Sequence, residues 1–579
     1  MRRLGLTLAV LAVGATVLTA CSKNTGGPTD HATHAAQTSA VDADPAHSRG
    51  PAKPVPGARR GGTLYALQEQ DFEHLDPQNV YIADAESVGQ LLSRSLTTYR
   101  EDGSGKLTLV GDLATGPGTD VDHDCRVWRY TLKPGLRYED GSAITAADVA
   151  YGVARSFSPD VNHGPHYIQQ WLVGSMDYNA KYKGPYDGGA ALPPGVTVQG
   201  ARQLTFRFPK PACDMPFAGA WGTTAPVPRS KDGKPLALDT HPFSSGPYKI
   251  AKYTRGTELD LVRNTYWDPR TDPIRHDYPD RVVTQIGATD VQQSQRILAS
   301  RGTDAATVAR ANVPAELTPV VQRNAGARKR VVTGITPYVS YLNINTERVT
   351  SLAERQAIEY AFNRRGYLQA AGGDTAGEPA TTIESPLAIG YHRYDAYPGG
   401  TSGDPAKAKQ LLGGRHPKLV YAFTNTELGQ KQATVVQQSL ARAGFSVVLR
   451  PVDKSSYYHQ VGLRHAGYDI FVTQWGADWP SGSTIIPPLF DGRAMDANGS
   501  WVWLDRDDIN TSIDRISAES AAKAGADWAK LDEHIMRAYA PVVPIYYTRS
   551  YSLVGDKVGG VFLSAFVGAP VYYNAYVRA

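Results

Sequence analysis

The chain of 579 residues is poor in cysteine, with three, and in methionine, with five. Besides Cys21 only Cys125 and Cys213 occur, and two cysteines without clustered histidines cannot complete a tetrahedral zinc shell alone. Excess charge is also lacking: 60 basic residues face 56 acidic ones, and no long basic block occurs, which gives no support to nucleic-acid binding. There is no Gly-X-Ser-X-Gly, no His-Glu-X-X-His and no Walker loop, and no carboxylate spacing singles out an acid/base pair. The chain therefore reads as a non-enzyme without a cofactor. The repeats and low-complexity arrays of a structural or adhesive protein are missing too. Beyond the first twenty residues no apolar run is long enough to span a membrane.

What is present starts with a charged, then apolar, N-terminus. Arg2 and Arg3 precede the stretch Leu4 to Leu18, which has the layout of a secretory signal. Leu18-Thr19-Ala20-Cys21 resembles a bacterial lipobox, which implies a signal peptide over 1–20, cleavage before Cys21 and acylation of that cysteine. More than one acyl chain anchors stably, at about 0.8 kcal/mol per buried methylene. An ordinary signal peptide with an incidental cysteine is the other reading. Residues 21–60 are rich in Gly, Pro, Ala, Thr and His and have almost no large apolar side chains, which predicts a disordered tether with His31, His34 and His47 solvated. About 520 residues remain, enough for two or three domains. In an oxidising compartment an isolated pair such as Cys125 and Cys213 is more often a disulfide than two separate buried thiols.

Residues 128–157 are the most informative run. Trp128, Tyr130 and Leu132 alternate with polar residues as a half-buried strand does. Pro134-Gly135 and Asp140-Gly141 are turn dipeptides, and Thr145 with Asp148 comes close to a capping box before an apolar helix face at Val149 and Val153. The whole run closely resembles the signature of the family 5 solute-binding proteins of ABC importers, the oligopeptide, dipeptide and nickel binders. Further segments resemble the same family: Leu75-Asp76-Pro77 before a helical run, Ser244-Ser245-Gly246-Pro247-Tyr248, and Asn264-Thr265-Tyr266-Trp267. Tyr341-Leu342-Asn343-Ile344-Asn345 with an amphipathic helix from Ala353 to Tyr367, and Pro541 to Leu553, resemble it as well. Residues 419–423, 432–443 and 445–449 read as strand, helix and strand, a βαβ unit.

The resemblance implies an α/β, bilobed periplasmic-binding-protein-like fold with mixed sheets and a two-crossing hinge. Lobe I is expected from 61–98, 200–335 and 545–579, an inserted subdomain from 99–199, and lobe II from 336–544. It implies an extracytoplasmic, lipid-anchored monomer that captures a small solute, a peptide above all, and delivers it to the transmembrane subunits of an ABC permease. An oligosaccharide or a metal chelate is the alternative cargo; a secreted hydrolase of similar fold is the remote one. In peptide-binding relatives the acid of a Trp-X-Ala-Asp motif pairs with the peptide α-ammonium, and Asp478 of Trp475-Gly476-Ala477-Asp478 stands at that position. Such a carboxylate supplies charge-assisted hydrogen bonds to a desolvated cation; a loop acid capping a neighbouring helix is the competing reading. Ser481-Gly482 departs from the family's usual Asp-Pro. Trp475 and Trp479 offer aromatic faces to a cleft or pack in a core, and Tyr338 and Tyr341 lie where relatives place aromatics beside the hinge. No metal site is predicted. Replacing Cys21 by Ala should release the protein from the membrane fraction of cells; a variant that stays there would sink the lipoprotein reading.

Overall fold

The computed structural model describes residues 40–101, 105–161, 163–186, 190–497 and 499–579. The predicted signal, Cys21, His31 and His34 lie outside the described residues. Among the described residues no helix is long and apolar enough to cross a membrane.

Pairing between distant strands sets the architecture. Thr63–Gln68 runs parallel between Arg281–Ile286 and Thr307–Ala309, and the sheet continues antiparallel through Glu258–Arg263 to Tyr248–Thr254. This five-stranded sheet is the frame of lobe I. Lobe II is built on a six-stranded sheet in the order Gly377–Pro379, Val542–Leu553, Val331–Ile344, Ile470–Gly476, Lys418–Thr424 and Ser446–Val452. Its last two strands are parallel, in register from Lys418 and Ser446, and are joined by the helix Glu427–Ala443, the expected βαβ unit. Val436 and Leu440 on that helix pack on Leu419 and Tyr421 of the sheet.

The two lobes are connected by a paired ribbon. Val331–Ile344 and Val542–Leu553 lie antiparallel, from Val331 opposite Leu553 to Asn343 opposite Val542. Leu553 joins a core with Leu67, Ile297 and Ala309, whereas Leu342, Ile344 and Val543 join the lobe II core. The register shifts between Ile335 and Val339, where Pro337 interrupts the ladder. That irregularity marks where the chain passes from one core to the other.

The insertion is a four-stranded antiparallel sheet in the order Thr119–Asp120, Val127–Thr131, Gln203–Arg207 and Val196–Gln199. Trp128 faces Phe206 and Tyr130 faces Leu204, so the alternation read from Trp128 to Leu132 becomes cross-strand apolar pairs. The strand at 203–207 thus belongs to the insertion, which extends past the expected boundary at 199. The insertion shares one continuous core with lobe I instead of having its own. A disulfide joins Cys125 to Cys213 across 88 residues, with the Cα atoms 4.8 Å apart.

Two further expectations change. The helix expected over Ala353 to Tyr367 is two helices, Leu352–Ala361 and Arg364–Ala370. Phe362 is extended, and the Asn363 side chain accepts from the Gly366 N–H to cap the second helix. Residues 40–60, expected in the tether, are packed. Ala40–Val41 pairs with the strand Leu107–Gly111, Ser48 is buried and accepts from the Gly111 N–H, and His47 bonds to Asp42. Backbone pairing and small side chains dock this segment without large apolar residues, which is why composition alone misread it.

The signature run owes its form to buried polar contacts. Thr145 and Asp148 complete a reciprocal capping box at the start of the helix Ala146–Arg155. At the other end of that helix Arg155, fully buried, bonds bidentately to Asp76 at 2.9 and 2.6 Å and donates to Asp232 at 2.6 Å. Asp76 is the acid of the Leu-Asp-Pro turn, so two separated motifs are one ion cluster. Trp267 is likewise structural: it is buried and donates to Asp272. Replacing Arg155 by Ala leaves two carboxylates buried without their cation and should cost about 3–5 kcal/mol. A thermal unfolding midpoint equal to that of the native protein would contradict this account.

Candidate functional site

The strand Ile470–Gly476 runs into the loop 477–481, which folds back on Thr484. The Trp475 indole donates to the Thr484 carbonyl at 2.7 Å, and the Asp478 N–H donates to the Thr484 hydroxyl at 3.2 Å. Gly482 follows because nothing larger fits: a Cβ there would lie 2.4 Å from Trp528. This accounts for one half of the Ser481-Gly482 departure.

So held, the loop reaches from lobe II into lobe I and the insertion. Asp478 accepts from the Tyr81 hydroxyl at 2.8 Å and from the Tyr167 hydroxyl at 2.7 Å, and the Trp221 indole donates to its carbonyl at 3.0 Å. Its oxygens accept from tyrosines and not from helix N–H groups. Trp479, 1% exposed, donates to Asp214 at 3.1 Å and packs its ring on Tyr167, 4.5 Å between centroids. The lobes are therefore closed on one another, with Asp478 and Trp479 as the contact.

A cavity of about 210 Å³ lies at this junction, walled by Tyr81, Glu86 and Trp221 from one side and by Tyr338, Trp475 and Asp478 from the other. Among the described residues neither lysine nor arginine lines it. Gly476 makes room for Tyr338, since a Cβ there would lie 2.5 Å from the phenol ring. Burial pushes the Asp478 carboxyl up to about 6, against the pull of the Tyr167 and Tyr81 hydrogen bonds. Burial pushes Glu86 up to about 7, opposed by the charge of Arg275. Two acids, five aromatic side chains and no lysine or arginine among the described lining residues make a site suited to a positively charged group.

Of the residues singled out in the sequence, the structure brings together Asp478, Trp475 and Tyr338 at the cavity. Trp479 stands beside it as interlobe packing. Tyr341 is not in the site: it is 2% exposed within a lobe II core that also holds Val339, Ile383 and Trp528. Sequence reasoning missed Glu86, Tyr81, Trp221 and Tyr167. Tyr81 and Glu86 lie just beyond the Leu-Asp-Pro turn and were within reach of that motif; Tyr167 sits in a stretch with no readable pattern.

A model of the bacterial extracellular solute-binding proteins, family 5, matches residues 108–497, more than half of the chain. The chain belongs to that family. The family consists of binding proteins, not enzymes, that work outside the cytoplasm. A similar curated relative is the glutathione-binding protein GsiB of Pectobacterium atrosepticum, 23% identical over 452 residues that make up 74% of this chain and 76% of the relative. Among solved structures, the clavulanic acid biosynthesis oligopeptide binding protein 2 is similar at 28% identity, with a TM-score of 0.83, covering 90% of this chain and 97% of that one. The murein tripeptide binding protein MppA in its unliganded open form gives a TM-score of 0.70 at 20% identity, covering 90% and 98%. These likenesses establish the bilobed binding-protein fold for this family 5 chain.

The titrating pair gives a pH test. Below about 6 Asp478 is mainly protonated, and below about 7 so is Glu86. A cationic ligand needs both as carboxylates, so its binding should strengthen from pH 5 to pH 8 and release protons on the acid side. Calorimetry in buffers of different ionisation heat reads this directly; affinity independent of pH would contradict it.

Proposed function

We propose that this family 5 protein is a lipid-anchored receptor on the outer face of the cell membrane. It captures a solute bearing a free ammonium group, an oligopeptide above all, and delivers it to an ABC import permease. The observation that carries the reading is the cavity between the lobes, with Asp478 and Glu86 opposed across aromatic walls and no lysine or arginine among its described lining residues. Asp478 takes the α-ammonium. A carboxylate offers about four acceptor sites, and the two tyrosine hydroxyls use only two of them. The Tyr81, Trp221, Tyr338 and Trp475 rings flank the bound group without selecting one side chain.

The cavity is smaller than the roughly 300–1,000 Å³ usual for drug-sized ligands. In the closed form it fits one residue-sized group, so a longer peptide enters by movement at the ribbon around Pro337 and leaves its remainder beyond the cavity. The curated relatives named for glutathione give a second reading. Glutathione brings two carboxylates with its one ammonium, and this cavity already holds two acids, so charge favours a cationic peptide over it. A neutral sugar would donate hydroxyl hydrogen bonds to the acids but leave their charge uncompensated.

Asp478→Asn keeps the shape and removes the charge. If the ammonium is desolvated on closure, the variant should lose about 2–5 kcal/mol of binding, the range for truncating a buried charge pair. N-acetylation of the same peptide should weaken binding to the native protein similarly. Titration calorimetry with free and acetylated peptide decides it: equal affinities would remove Asp478 from the role and with it the peptide reading.

A further inference from the structure

A second cavity, of about 310 Å³, lies on the lobe I side and shares Tyr81 with the interlobe cavity. Glu73, His74 and His163 meet at it. One potential ligand atom from each lies within 4.8 Å of the other two. His74 Nε2 and His163 Nδ1 are 2.8 Å apart, and a Glu73 oxygen is 4.0 Å from His74 Nε2. The cluster draws on residues almost ninety positions apart, which only the fold brings together.

We infer that Glu73, His74 and His163 form a binding site for a divalent transition-metal ion of the zinc class. Three features carry this. First, His74 is already oriented. Its Nδ1 lies 2.8 Å from Asp239 Oδ1, a carboxylate that only accepts, so Nδ1 carries the proton and Nε2 presents its lone pair toward His163. Asp239 is fixed in turn by Arg255 at 3.2 Å. A histidine whose other ring nitrogen donates to a carboxylate is the usual arrangement behind a metal-bound imidazole. Second, two imidazoles and a carboxylate suit zinc-like ions, and three protein ligands leave a fourth position open. With metal–nitrogen bonds of about 2.0–2.1 Å the two ring nitrogens need only a small separation from their present contact. Glu73 is exposed and free to swing inward.

Third, Asn79 lines the same cavity, is 1% exposed, and has no hydrogen-bond partner among the described residues for either atom of its carboxamide. A buried amide left without partners is costly. A metal-bound water or a donor group of a chelating ligand in the open position would give it one. The inference does not rest on the peptide reading, because it uses other residues and a different cavity.

The probe is ZnCl₂ titrated calorimetrically into the full-length protein without peptide, with CoCl₂ absorption as an optical check on nitrogen ligation. The result expected is one zinc equivalent bound well below millimolar. His163→Ala and Glu73→Ala change exposed side chains and should each weaken it tenfold or more. Asp239→Asn, which removes the orienting charge together with its pairing to Arg255, should weaken it about 10–100-fold. A His31→Ala/His34→Ala double variant should bind as the native chain does. Absence of sub-millimolar binding, unchanged affinity in His163→Ala, or loss of the site in the double tail variant would overturn the assignment.

Discussion

The buried guanidinium of Arg155 holds the parts of the binding site in relation to one another. It ends the helix of the signature run, clamps Asp76 of the Leu-Asp-Pro turn with two bonds and reaches Asp232 with a third nitrogen. Tyr151 and Tyr186 add their hydroxyls to Asp232. A fully enclosed cation needs such a shell, and each partner is then fixed by the cost of leaving a charge unpaired. The turn after Asp76 leads directly to Asn79, Tyr81 and Glu86. Both cavities therefore inherit their geometry from an ion cluster that touches neither.

Closure of the lobes makes a different use of charge. Asp478 and Trp479 are held across the interface by Tyr81, Tyr167, Trp221 and Asp214. Neutral hydroxyls satisfy the acid without cancelling its charge, so its carboxyl is raised by burial instead of lowered by a partner. That leaves the interface complementary to an incoming cation even when shut. A lysine or arginine in the wall would have closed the lobes more firmly and removed the reason for a cation to enter.

Much of the fold was legible because period-2 and βαβ patterns survive in single segments: the strand at 127–131 is where alternation places it, and the strands at 418–424 and 446–452 are where the βαβ reading places them. The failures have local causes. Asn363 offers a cap that breaks an otherwise unbroken helical pattern, and residues 40–60 dock through backbone pairing, which leaves no compositional trace. Of the site, the Trp-Gly-Ala-Asp loop was readable because its spacing is compact. Tyr167 and Trp221 were not, since they come to Asp478 from positions about 311 and 257 residues away in the chain. Tyr341 lies buried in a lobe II core and does not line this cavity, a placement that the motif alone does not carry.

The docking of residues 40–60 on lobe I also fixes a length. With Cys21 as the proposed anchor, only residues 21–39 separate the membrane from the packed body. At about 3.3–3.6 Å per residue that leash cannot exceed roughly 65 Å even when fully drawn out. On that proposal, a body so anchored would meet a membrane-embedded partner by searching a surface and not a volume, and the leash would set its local concentration there, so that hand-over of cargo would be fast even where the two proteins attract each other only weakly.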